Sequence, residues 1–175
     1  MIAVRRIAAA AVLAALAGIS APSAYAASAA TDDAPFLKAI HQGNLAEIAA
    51  GQSARKNATA ACVKTVGATL VRDHRKLDVG VKALAKKLDV TLPSSPSAAQ
   101  EKTMTALQGQ VGTSAYNTSW LKTEAKSHEE TLALIDREVS KGGNAEVKAA
   151  AKAARPVVAR HLKLIRACEA RVTPS

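Results

Sequence analysis

Apolar residues recur every three to four positions along four separate stretches of this chain, and that period commits it to packed helices. The plainest stretch runs from about Ala60 to Leu88, where Val63, Val66, Leu70, Leu77, Val81, Leu84 and Leu88 fall on one stripe of an α-helix. Strands are disfavoured by the same composition. Aromatic residues make up only 2% of the 175 residues, and alanine, the strongest helix former, is abundant.

Punctuation residues place the other elements. Thr31 or Asp32 can cap a first helix that has Pro35 in its first turn and runs to about Lys56, with Phe36, Leu37, Ile40, Asn44, Glu47, Ile48 and Gly51 inward. Thr91 to Ser97 holds two prolines and three serines, which breaks the chain after the second helix. Ala98 to Gln110 then reads as a short helix bounded by Gly112. A third long helix is expected from about Thr113 to Ser140, with Leu121, Leu132, Ile135 and Val139 inward and Gly142-Gly143 ending it. The last runs from about Asn144 to Val172, with Val147, Ala150, Ala154, Val157, Ile165 and Cys168 inward. The fold class is all-α: a single four-helix bundle over residues 32–172.

The first 26 residues stand apart. Arg5 and Arg6 precede an apolar run from Ile7 to Ile19, and Ala24-Tyr25-Ala26 is a small-x-small cleavage site, so a secretory signal peptide cut after Ala26 is expected, followed by an irregular stub over 27–31. The mature protein is expected in the periplasm or outer cell envelope. It should be soluble, because no later stretch approaches the roughly 18 consecutive apolar residues of a membrane span. Loss of Arg5 and Arg6 lowers the formal charge from +10 to +8.

That charge suggests anionic partners, either lipid headgroups or cell-wall polymer, met by Lys82, Lys86, Lys87, Lys148, Lys152, Arg155, Arg160, Lys163 and Arg166. The simpler reading is that these are solvated helix faces. Nucleic acid is not expected, because export removes the protein from it and the aromatics are too few to stack bases. No phosphate-binding glycine loop, nucleophile elbow or nucleophile beside a base is visible, so the chain does not read as an enzyme of those kinds.

Histidines carry the chemical interest. At about 100° per residue, His74 shares a line with Leu70, Leu77 and Val81, His128 with Leu121, Leu132 and Ile135, and His161 with Val147, Ala154 and Ile165. Three helices thus point an imidazole inward. His128 precedes the Gly142-Gly143 turn by about as many residues as His161 follows it, a mismatch of roughly 6 Å at 1.5 Å per residue. Glu47 and Glu124 flank the same level. The set His74, His128, His161, Glu47 and Glu124 can hold zinc, iron, manganese or copper, or can close on itself as a polar network. His41 falls at the edge of its helix face, and Asp73 falls beside His74 but toward the edge, either supporting the cluster or solvated.

Two cysteines in an exported chain suggest a disulfide. In an up-down-up-down bundle Cys62 and Cys168 would sit at opposite ends, beyond the roughly 7 Å limit between Cα atoms. If Val90 to Gly112 crosses the bundle lengthwise, both reach the same end. A ferritin-like crossover bundle with a Cys62–Cys168 bond is the expectation, against two unpaired core thiols.

The ordered set Phe36-Leu37, Gly43, Glu47, Asp73-His74, His128 and Pro156 followed by His161 resembles the bacterial exported family called domain of unknown function 4142, often labelled as outer-membrane proteins. The likeness covers about Asp32 to Cys168. It implies a ferritin-like four-helix protein and no established activity. A di-iron ferritin site needs Glu-x-x-His on two helices, but Val71 and Val158 stand at those offsets, so an atypical or mononuclear site is implied rather than a ferroxidase.

Overall fold

The computed structural model of the chain describes residues 24–172, with side chains from Asp33 onward. The expected signal peptide lies almost wholly outside these residues. Five helices follow in order: α1 (Ala24–Asn57), α2 (Ala61–Lys87), α3 (Ala98–Gln108), α4 (Ser114–Lys141) and α5 (Ala145–Val172). No strand occurs among the described residues, and no described helix is long and apolar enough to cross a membrane.

Local chemistry explains most boundaries. Ser97 opens α3 with a reciprocal capping box, accepting from the Gln100 N–H while the Gln100 side chain accepts from the Ser97 N–H. Thr113 caps α4 by accepting from the Tyr116 N–H. The start of α1 departs from expectation: the helix reaches back to Ala24, residues 27–31 are helical rather than an irregular stub, and Pro35 lies inside the helix. Alanines at 26, 27, 29, 30 and 34 supply the helix propensity that the cap reading at Thr31 or Asp32 overlooked. Asp33 instead pins the turn between α4 and α5, accepting from the N–H groups of Gly143 (2.8 Å) and Asn144 (2.6 Å).

A disulfide joins Cys62, at the start of α2, to Cys168, near the end of α5, with Cα atoms 5.8 Å apart. At the opposite end Lys87 of α2 meets Glu146 of α5 at 2.6 Å. These two ties make α2 and α5 antiparallel. Because α4 and α5 are joined by a tight turn, α2 and α4 run parallel, and the segment from Leu88 to Thr113, α3 included, runs the length of the bundle. That is the lengthwise crossover the cysteine positions demanded.

Helices α1 and α2 approach until backbones touch. A Cβ on Gly51 would lie 2.6 Å from the Gly67 carbonyl oxygen, and one on Gly67 would lie 2.8 Å from that of Gly51. The apolar core splits into two blocks. One packs Leu70, Tyr116, Trp120, Leu121 and Ile165 near the disulfide, and the other packs Phe36, Leu37, Ile135, Val147 and Val158 near the α4–α5 turn. Two expected stripes are shifted. On α5 Val147, Ile165 and Cys168 are buried as expected, but mid-helix Ala151 and Val158 are buried in place of Ala150, Ala154 and Val157, and on α2 Leu77, Val81, Leu84 and Leu88 are only half-buried.

Candidate metal centre

Between the two apolar blocks the stripes of α2, α4 and α5 each substitute a histidine for an aliphatic residue. His74, His128 and His161 are 4%, 1% and 0% exposed. Their ring centroids form a near-equilateral triangle with sides of 5.7 Å (His74 to His128), 5.2 Å (His74 to His161) and 5.5 Å (His128 to His161). The height match inferred from the turn at Gly142 is thus met.

Each ring is turned by a different acceptor. His128 Nδ1–H donates to the Glu124 carbonyl oxygen one turn back, at 2.8 Å. His74 Nδ1–H donates to Asn44 Oδ1 at 2.9 Å, while the Asn44 amide nitrogen donates to Asp78 Oδ1. His161 Nε2–H donates to Asp73 Oδ2 at 2.9 Å. In every ring the donor nitrogen is used, which leaves the other nitrogen as a lone pair. Those other atoms, His74 Nε2, His128 Nε2 and His161 Nδ1, are buried and without any hydrogen-bond partner. One nitrogen from each ring lies within 4.8 Å of the others.

The electrostatics keep two of these lone pairs unprotonated. Burial, helped by the neighbouring His128 and His161 and opposed by Glu47, pushes the His74 imidazole down to about 4. Burial likewise lowers His161, against the pull of Asp73. Neutral imidazole is the form that binds a metal.

Two carboxyls adjoin the triangle. Glu47 is 6% and Glu124 2% exposed, and Glu47, Glu124 and His128 form a second group whose ligand atoms lie within 4.8 Å. Glu47 Oε1 accepts from Ser127 Oγ at 2.7 Å and lies 3.8 Å from His128 Nδ1. Burial and the negative Glu47 beside it push the Glu124 carboxyl well up. Burial works the same way on Glu47, but His128, Glu124, His74 and Ser127 outweigh it and hold that carboxyl below the usual range. Glu47 therefore carries the charge of the pair and Glu124 the proton. His128 has only one free nitrogen, so the two groups compete for it and the arrangement suits one ion rather than two.

All five candidate ligands expected from the sequence are brought together. His41 departs from its expected edge position: it is 4% exposed and sits 2.6 Å from Asp78 Oδ1 through Nδ1. The close approach of α1 and α2 at Gly51 and Gly67 buries both margins of the α1 face, which a single-helix projection does not foresee. Asp73 is half-buried, joined to His161, to Arg72 at 2.7 Å and to Arg160 at 2.9 Å. Asp78, which orients Asn44, had no signal beyond lying four residues after His74.

The pattern that defines the "Domain of unknown function (DUF4142)" matches residues 19–168 of the chain. No curated protein and no solved structure matches it.

Proposed function

This chain belongs to the DUF4142 family, and from that premise and the geometry of its core we propose that it is an exported envelope protein that holds one transition-metal ion inside its bundle. His74 Nε2, His128 Nε2 and His161 Nδ1 are the ligands, with the charged Glu47 completing the shell and Glu124 joining it on release of its proton. The observation that carries the proposal is that each of three clustered, buried imidazoles keeps an unpartnered nitrogen and that one nitrogen of each lies within 4.8 Å of the others. Among the three rings no donor remains to bridge these nitrogens, because each ring spends its only N–H on an outside acceptor. Three nitrogens with one or two carboxylates suit zinc, copper, iron or manganese. The role is storage, buffering or sensing. Signal-peptide cleavage after Ala26 and delivery to the periplasm or outer envelope belong to the same proposal.

The competing role, a basic surface that binds anionic lipid or cell-wall polymer, has less support. Lys82, Lys87, Arg155, Arg160 and Arg166 are each engaged with a carboxylate of the protein itself.

Elemental analysis of protein purified from the envelope without an affinity tag, beside a His74→Ala/His161→Ala double variant, tests the proposal. Near-stoichiometric metal in the parent and its loss from a folded variant are expected. A metal-free parent that also refuses added metal would overturn it.

A further inference from the structure

A cavity of about 770 Å³ adjoins the histidine cluster and extends among α1, α2, α4 and α5 toward the α4–α5 turn. Small residues stand along its border. Gly43 and Gly80 border it, and a Cβ built on either meets nothing within 4 Å. Ala39 and Ala154 face the same space. Aliphatic side chains make up much of its wall, including Leu37, Ile40, Leu77, Val81, Leu84 and Leu134, and half-buried Gln100 with exposed Lys76, Glu130 and Arg160 also border it. Leu77, Val81 and Leu84 of α2 are half-buried where they line this space, with Val81 and Leu84 also packed against the block near the α4–α5 turn. The volume falls within the roughly 300–1,000 Å³ of small-molecule sites.

The cavity has a polar end. His74 and Glu47 both line it, and each keeps a buried acceptor atom, Nε2 and Oε2, without a hydrogen-bond partner. Asp73 lines it as well and is bound to Arg72, Arg160 and His161. Unpartnered acceptors at the end of an apolar chamber select a ligand that brings a donor. A carboxylate head at this buried end would face the Glu47 and Asp73 carboxyls, since Arg160 is spent on Asp73 and Lys76 stands exposed, whereas a hydroxyl offers a hydrogen to an unpartnered acceptor. We propose that this chamber binds an apolar molecule bearing a hydroxyl group, an alcohol or a phenol, with its hydrocarbon body among the aliphatic walls and its O–H directed to His74 and Glu47. The assignment goes beyond metal binding and concerns the ion-free chain, because His74 Nε2 has one lone pair and a bound ion would take it.

Calorimetric titration of the chelator-treated full chain with 4-butylphenol, butylbenzene and 4-butylbenzoate tests it. The phenol should bind about tenfold tighter than butylbenzene, the effect of one hydrogen bond, and the benzoate should bind no better than the hydrocarbon. Gly43→Phe should fill the chamber and abolish binding of all three while leaving metal uptake intact. His74→Ala should erase the preference for phenol over butylbenzene without abolishing binding of either. Absence of binding by all three probes, unaltered binding in folded Gly43→Phe, or a preference for the benzoate would overturn the proposal. Metal uptake measured on the same samples separates the two readings: a chain that binds the phenol but no metal contradicts only the metal centre, and one that binds metal but no probe contradicts only the chamber.

Discussion

Asp73 and His161, 88 residues apart in sequence, meet at 2.9 Å between Oδ2 and Nε2, and that single contact decides which nitrogen of His161 faces the cluster. Asp73 is itself fixed by Arg72 and Arg160, so the imidazole is held by a braced acceptor. Acceptors of this kind raise the basicity of a ligating ring and fix its orientation. Asp73→Ala should therefore weaken metal affinity by about 10- to 100-fold while leaving the fold intact, because outer-sphere partners of ligating histidines carry about that much. A competition titration against a metallochromic chelator measures it. Unchanged affinity would mean that His161 is not a ligand.

The helix crossing at Gly51 and Gly67 makes a different demand. Alanine at position 51 gains about 1 kcal/mol of helix propensity, but its Cβ would lie 2.6 Å from the Gly67 carbonyl oxygen and 2.8 Å from Val71 Cγ2. A backbone oxygen cannot step aside as a flexible side chain can. Gly51→Ala is expected to be destabilising by about 1–3 kcal/mol despite its propensity, read as a lower urea midpoint. A higher midpoint would show that α1 and α2 can separate at little cost.

Acid should unfold the metal-free protein through His74. Its folded value of about 4 lies below the ordinary 6.5, so between those values the unfolded chain binds a proton that the folded chain refuses. The stability this group contributes is complete above about pH 6.5 and declines as pH falls toward 4, by roughly 3 kcal/mol in all. His74→Gln should flatten that slope in urea melts between pH 7 and 4. Persistence of the same slope in the variant would assign it to another group.

The disulfide closes most of the chain, joining Cys62 and Cys168 across a sequence separation of 106. By the loop-entropy account, opening a closure of that size costs about 5 kcal/mol. A Cys62→Ser/Cys168→Ser variant should show a clearly lower melting temperature than the oxidised parent and the same melting temperature whether or not reductant is present. An equal melting temperature for parent and variant would mean that the crossover topology holds the two ends together without the bond.

Much of this was legible before any coordinates. The stripe from Val63 to Leu88, the break at Thr91–Ser97 and the Gly142-Gly143 turn placed α2, α3, α4 and α5 to within a few residues, because long helices repeat their signal many times. The convergence of His74, His128 and His161 was legible for the same reason, since helical phase and distance from a turn fix both direction and height. Three features were not. The start of α1 depended on weak propensity in an alanine run where an apparent cap at Thr31 or Asp32 was equally plausible. The burial of His41 depended on how closely α1 and α2 approach, which two separate glycines decide jointly. The cavity was invisible because a stripe of leucines and valines looks the same whether it meets another helix or borders a space that Gly43 and Gly80 leave open.

X-ray absorption on the zinc-loaded protein tests the metal centre most directly, because it counts ligands by type. Three clustered, buried imidazoles, each with an unpartnered nitrogen, predict a single ion per chain with three nitrogen neighbours showing the multiple scattering of imidazole, at about 2.0–2.1 Å, and loss of that signal in the His74→Ala/His161→Ala variant. An all-oxygen shell, or zinc retained unchanged by the variant, would contradict the account.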